Sequence, residues 1–288
     1  SIVAQDKKIT KQGHTNQNKF KQLTTELATP NSQHTASGAP GKKYTQQKVD
    51  YKMDIILNDE KQQISGNETI TYHNNSEDDL PYLWLQLDQN MRAKDSDTYK
   101  IRQSDIDEKM TAGEMQRLVG SDFDGGFKIE HVKDANDKPL PYTINKTMMR
   151  VDLPVALKPG EKYTFKVEWW YNINDRMKMG GRSGYEYFEE NDNYLYTIAQ
   201  FYPRMVMYND VYGWQHKQFL GRGEFTLCFG DYKVNITVPA DHIVASTGTL
   251  QVVLRHEPNK SASGVSGGDI TNAGGETDIE VDFPITIQ

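Results

Sequence analysis

From Tyr51 onward the chain alternates. Tyr51, Met53, Ile55 and Leu57 recur every second residue, and Lys52, Asp54 and Asn58 fall between or beyond them on the other face. A period of two places the two sets on opposite faces of a strand, one dry and one wet. The pattern returns over Ile64 to Tyr72 and in Leu83, Leu85 and Leu87. It is clearest where Tyr163, Phe165, Val167, Trp169 and Tyr171 interleave with Lys162, Thr164, Lys166 and Glu168. Further runs are Phe225, Leu227, Phe229 and then Tyr232, Val234, Ile236, Val238; a last one is Ile279, Val281, Phe283, which Pro284 should end or place at an edge. Strands buried on both faces would be continuously apolar, so the alternation predicts antiparallel sheets with one solvated face.

Turn-forming residues separate the runs: Asn58-Asp59-Glu60, Asn74-Asn75-Ser76, Pro159-Gly160 and Gly230-Asp231. Gly230-Asp231, between two alternating runs, predicts a tight hairpin. Ser104 and Asp107 resemble a capping box, and Ile106, Met110, Met115, Leu118 and Val119 are spaced for a helix ending at Gly120, although Gly113 interrupts it. The predicted fold is therefore all-β: an antiparallel β-sandwich or saddle-shaped sheet with a short helical insertion. Residues 1–46 are rich in Lys, Gln, Thr, Asn and Ser without apolar periodicity, which predicts a flexible basic arm with a disordered N-terminus. Ser1-Ile2-Val3-Ala4-Gln5 could be the small-residue end of an export signal, giving an exported, periplasmic or cell-surface location, or an ordinary boundary in a polar tail. Residues 47–251 form the β domain, and 252–288 a Gly-rich loop plus the possible final strand.

Composition narrows the function classes. Of 288 residues, 36% are hydrophobic, enough for a core, and no apolar run approaches the roughly 20 residues of a membrane-spanning helix. The formal charge of −7 has the wrong sign for a surface that neutralises phosphates, so nucleic acid is not an expected partner. One cysteine, Cys228, allows no internal disulfide and no cysteine zinc cluster.

The motifs that could carry catalysis are incomplete. The seven histidines are never four apart, and His256-Glu257-Pro258-Asn259-Lys260 has Lys where a second zinc ligand belongs and Pro inside the would-be helix. Gly181-Arg182-Ser183-Gly184-Tyr185 puts Tyr where a nucleophile elbow requires its second Gly. Asp122-Phe123-Asp124-Gly125-Gly126 offers oxygens without the ligand ladder of a calcium loop. No catalytic or metal-ligating residue is assigned. Glu186, Glu189, Glu190 and Asp192 form an acidic cluster around Tyr185, Tyr187 and Phe188, suited either to a cationic peptide terminus or to a solvated loop. Tyr194 to Arg204 is an apolar and aromatic run carrying one amide, Gln200, into a polar turn, a common place for a ligand contact and equally for a structural amide.

Several motifs together carry a resemblance. Tyr185-Glu-Tyr-Phe188, Tyr194-Leu-Tyr196, Ala199-Gln-Phe-Tyr-Pro-Arg204, Asp210-Val-Tyr-Gly-Trp-Gln215, Gln218-Phe-Leu-Gly-Arg-Gly-Glu-Phe225 and Val238-Pro-Ala-Asp-His242 followed by Ala245-Ser-Thr-Gly248 resemble the N-terminal domain of bacterial zinc aminopeptidases of the aminopeptidase N family, especially its Bacteroidetes branch. The likeness runs from about Val49 to Gln251, includes Leu83-Trp-Leu85 and Lys162 to Tyr171, and is most specific over 177–251. It implies a β saddle whose partner is a thermolysin-like catalytic domain, with zinc held in that domain and none in this chain. It also implies that Gln200 helps to hold the free α-amino group of a peptide, since an amide oxygen can accept from an ammonium without adding charge. Tyr185 and Glu186 are the neighbouring candidates for substrate contact.

No H-E-x-x-H occurs, and after Gln251 the family's pattern is lost. The expectation is a fragment that is inactive alone and binds substrate for a metallopeptidase. The competing expectation is a stand-alone β-sandwich binding or adhesion module for a peptide or sugar, using Tyr185, Tyr187, Phe188 and Trp214 as its contact surface.

Overall fold

A computed structural model describes residues 30–101, 109, 111, 122–224, 226–239, 241–255 and 276–284. The first 29 residues and 256–275 lie outside these, as does the predicted helix over 104–119 apart from 109 and 111. Fifteen strands are described: β1 (Lys48–Asn58), β2 (Gln63–His73), β3 (Leu80–Gln86), β4 (Lys128–Asp134), β5 (Tyr142–Asn145), β6 (Met148–Leu157), β7 (Lys162–Asn172), β8 (Gly184–Phe188), β9 (Asn193–Thr197), β10 (Arg204–Met205), β11 (Tyr208–Asn209), β12 (Gly213–Trp214), β13 (Asp231–Pro239), β14 (Thr249–Arg255) and β15 (Glu276–Pro284). The only α-helix among the described residues is a single turn, α1 (Arg176–Met179), capped by the Asp175 carboxylate. The protein is all-β, as the alternation predicts. Among the described residues no helix is long and apolar enough to cross a membrane.

The large sheet has seven strands in the order β14-β15-β13-β1-β2-β7-β4, and a second has four in the order β10-β3-β6-β5. The dry residues of both sheets meet in one core. Val49, Tyr51, Met53, Ile55, Ile70, Tyr72, Phe165, Val167 and Trp169 come from the large sheet, and Leu83, Leu85, Met149, Val151 and Met205 from the small one. Burying a large apolar side chain in this way contributes about 1.5–3 kcal/mol. The two layers are also tied by a polar link, the Met205 N–H donating to the Tyr51 hydroxyl at 2.9 Å. The predicted turns at 58–60, 74–76 and 159–160 each lie between successive strands.

One predicted turn is not a turn. Gly230-Asp231 makes no hairpin, because residues 226–229 form only isolated bridges, Leu227 to Val206 and Phe229 to Lys48, and none to β13. Instead β13 runs parallel to β1, with Tyr51 opposite Tyr232 and Ile55 opposite Ile236. The glycine serves an approach of two backbones: the Val49 N–H donates to the Phe229 carbonyl at 2.8 Å, and a Cβ at position 230 would overlap the Val49 carbonyl. Parallel neighbours need a long connection, here nearly the whole domain, and residue spacing does not reveal a partner so distant in the chain. β15 pairs antiparallel with both β13 and β14, so the last alternating run does form a strand, and it lies inside the sheet.

Candidate functional site

The hairpin β8–β9 forms a sheet of its own, with Tyr185 opposite Tyr196 and Tyr187 opposite Tyr194. Because paired residues share a face, the four tyrosines cluster: Tyr187 and Tyr194 have ring centroids 4.8 Å apart, Tyr185 and Tyr194 5.9 Å, and Tyr194 and Tyr196 6.1 Å. The hairpin is anchored at its base. The Tyr185 N–H donates to the Asn174 carbonyl, and Arg176 of α1 pairs with Glu186 at 2.5 Å. The Glu186 carboxylate is therefore engaged. Toward the tip, Tyr187, Phe188, Tyr194 and Leu195 are each 45–49% exposed.

Three residues beyond β9 the chain reaches Gln200 with φ at +52°. A non-glycine residue in the left-handed region costs about 1–2 kcal/mol, so something must hold it there. The holder is Gln89, in the buried 3-10 turn Asp88–Arg92, whose amide nitrogen donates to the carbonyls of Ala199 and Gln200, both at 3.0 Å. Gln89 is itself fixed by Arg92, which donates to its amide oxygen at 2.8 Å. On the other side Ser183 Oγ accepts from the Ala199 N–H. Ser183 is thus a buried structural hydroxyl, consistent with the missing second Gly of the elbow motif.

The Gln200 side chain donates from Nε2 to Glu224 Oε1 at 2.8 Å, which leaves the amide oxygen as its accepting end. Glu224 also pairs with Arg182. Beneath them Arg204 is ion-paired with Asp88 at 2.5 Å, and Gln86 donates to the other Asp88 oxygen at 2.5 Å. Burial lifts the Asp88 carboxyl above its ordinary range even though Arg204, the Gln86 bond and Arg182 pull it down.

The residues that meet at Gln200 are thus Gln89, Glu224, Arg182 and Ser183. No hydrogen bond or ion pair among the described residues joins Tyr185 or Glu186 to it; Tyr185 lies against Tyr194 and Glu186 against Arg176. Glu224 was legible only as part of the Gln218–Phe225 motif. Gln89 stands just past the Leu83-Leu85-Leu87 alternation, a place that signals a strand end and nothing about a clamp. Trp214 is not on the surface: only 8% exposed, it packs on Tyr72 and Tyr208, because β12 folds back on β11 against the core.

No group of three or more His, Cys, Asp or Glu is gathered closely enough to hold a metal ion among the described residues. His216 faces Trp84 and bonds the Trp214 carbonyl, and His242 pairs with Asp241. Asp124 is paired with Lys128. Among the described residues the donor sets therefore do not fit a zinc site.

No protein-family model matches the chain, and no curated protein matches it. Among solved structures it is similar to an M1 zinc metallopeptidase from Deinococcus radiodurans, in a mutant bound to a Tyr-Ser-Ala substrate, at 14% identity and a TM-score of 0.42, covering 82% of this chain and 39% of that one. The same figures are 13%, 0.41, 82% and 39% for the M1 zinc metallopeptidase from that organism without the mutation. For a two-domain M1 zinc metallopeptidase mutant bound to L-tryptophan they are 14%, 0.43, 86% and 41%. The chain spans about 40% of the length of these proteins.

Proposed function

We propose that this chain is the non-catalytic, substrate-binding N-terminal domain of a zinc-dependent metallo-aminopeptidase, and that Gln200 accepts a hydrogen bond from the free α-amino group of a peptide. One observation carries the reading. Gln200 is held in a strained backbone conformation by a buried clamp, with its amide nitrogen occupied by Glu224 and its oxygen left to accept. Turn residues such as Gln62 (φ +53°) share that backbone conformation, and what sets Gln200 apart is the buried Gln89 clamp beneath it. The carboxylate of Glu224 beside it adds attraction for an ammonium, tempered by Arg182. The sequence motifs around Gln200 support the same reading, with a thermolysin-like catalytic domain as partner and the zinc held there.

A ¹⁵N-labelled sample titrated with a dipeptide amide and with its N-acetylated counterpart tests this. The free amine is expected to shift Gln200 and Glu224 resonances and the acetylated one is not, and Gln200→Ala should abolish the shifts. The purified chain is expected not to hydrolyse an aminoacyl anilide with zinc added. Equal shifts with the acetylated peptide, or chelator-sensitive turnover, would overturn the proposal.

A second reading, a stand-alone module binding a peptide or sugar, is favoured by the aromatic residues that β8–β9 exposes toward its tip. Shifts confined to Tyr187, Phe188 and Tyr194, without Gln200, would select it.

A further inference from the structure

The loops that meet at Gln200 bring both signs of charge to it. Arg182 stands between Gly181 and the buried Ser183, in the loop from α1 to β8. Ser183 Oγ accepts from the Ala199 N–H at 3.3 Å, so Arg182 and Gln200 each lie one residue from an end of that hydrogen bond. Glu224 comes from a second loop, between β12 and β13. Its Oε1 takes both the Gln200 Nε2 donor, at 2.8 Å, and the nearest Arg182 nitrogen, Nη2.

These groups have capacity to spare. A carboxylate can accept about four hydrogen bonds, and a guanidinium has about five N–H donors in a fixed fork. The Glu224 and Arg182 side chains are 50% and 66% exposed, so much of that capacity faces solvent. Gln200 adds its amide oxygen, since its nitrogen is engaged by Glu224. Two acceptors therefore stand beside one cation. Asp88, which also senses Arg182, is buried and already held by Arg204 and Gln86.

An ammonium alone matches this arrangement poorly. It gains the Gln200 and Glu224 oxygens, but it must share Glu224 with Arg182 and meets the repulsion of that cation. A carboxylate a few bonds from the amine removes the conflict. The ammonium then takes Glu224, the carboxylate takes Arg182, and each charge has an opposite partner.

We propose that Arg182 is a specificity-determining residue that selects ligands with a carboxylate close to the free α-amino group, by exchanging Glu224 for that carboxylate. The proposal rests on the amine-binding role of Gln200 and names the ligands that role favours. Two kinds of ligand carry this chemistry: a peptide whose first residue is aspartate or glutamate, and a free α-amino acid. The gain is that of an exposed ion pair, about two- to fivefold in affinity, and salt weakens it.

Titration of the ¹⁵N-labelled full chain with aspartic acid α-amide against asparagine α-amide, and with alanine against alaninamide, tests this at pH 6, where the amines are protonated. Within each pair the α-amine is the same and one member adds a carboxylate. Wild type is expected to bind that member about two- to fivefold more tightly in at least one pair, read from the Gln200 and Glu224 shifts, and Arg182→Gln is expected to remove or reverse the preference. A preference in the aspartyl pair assigns the carboxylate to an acidic first side chain, and one in the alanine pair to a free amino acid. Equal affinities within both pairs overturn the proposal and leave the amine reading standing, as does a preference that survives Arg182→Gln. Shifts from none of the four ligands overturn both.

Discussion

A methyl group on Gly66 has nowhere to go. Its Cβ would stand 2.7 Å from Cε2 of Trp169, closer still to Cζ2 of the same ring, and 2.9 Å from Cδ1 of Ile55. Neither neighbour can withdraw. Trp169 is 1% exposed and is wedged between Phe127, edge-on at 5.4 Å, and Tyr171, stacked at 6.0 Å. Overpacking of this kind costs about 1–3 kcal/mol, and the rigidity of the site argues for the upper end. Alanine also restricts the unfolded chain relative to glycine, which returns about 0.5–1 kcal/mol. The steric cost wins, leaving Gly66→Ala about 2 kcal/mol less stable, equivalent to a fall in Tm of about 4–8 °C. Urea unfolding followed by tryptophan fluorescence measures it. In a Trp169→Phe background the six-membered ring of the indole is gone from above Gly66, so the same alanine should cost under about 0.5 kcal/mol, a coupling of about 1.5 kcal/mol between the two positions. A Gly66→Ala protein as stable as wild type would refute the reasoning, and so would a cost unchanged by Trp169→Phe.

Two further outcomes are expected. Arg204→Ala strands the buried Asp88 carboxylate and should cost about 3–5 kcal/mol. Because protonating Asp88 removes the stranded charge, the deficit against wild type should shrink as pH falls and grow as it rises; a deficit independent of pH in urea unfolding would contradict this. The Cys228 thiol is buried and pushed up to about 12 by desolvation, so a thiol reagent at pH 8 should leave the native protein unmodified and label it once in urea, whereas stoichiometric labelling of folded protein would contradict the burial.

What the sequence made legible is what one wet and one dry face can encode. β1, β7 and β13 were readable because their apolar residues recur at every second position over nine to eleven residues, and β2 because Ile64, Ile70 and Tyr72 keep the same phase across the Glu68 between them. The turns between β1 and β2 and between β6 and β7 were readable from their Asn, Asp, Pro and Gly. The parallel pairing of β1 with β13 was not, because nothing local distinguishes a glycine that permits backbone contact at Gly230 from one that permits a turn. Gln200 was legible as a candidate, but its clamp was not: Gln89 is 111 residues away, and two amides and a guanidinium meeting underground leave no spacing to detect.

The parallel junction also bears on how the chain is made. β1 finds β2 across a short turn, but its other edge must wait for β13, about 170 residues later. At about 5–20 residues per second on the ribosome, that edge stays open for about 10–35 s. Through that interval a half-apolar, hydrogen-bond-hungry ribbon is on offer to any neighbouring nascent chain, so the hazard in producing this protein lies in the delay before that edge is covered.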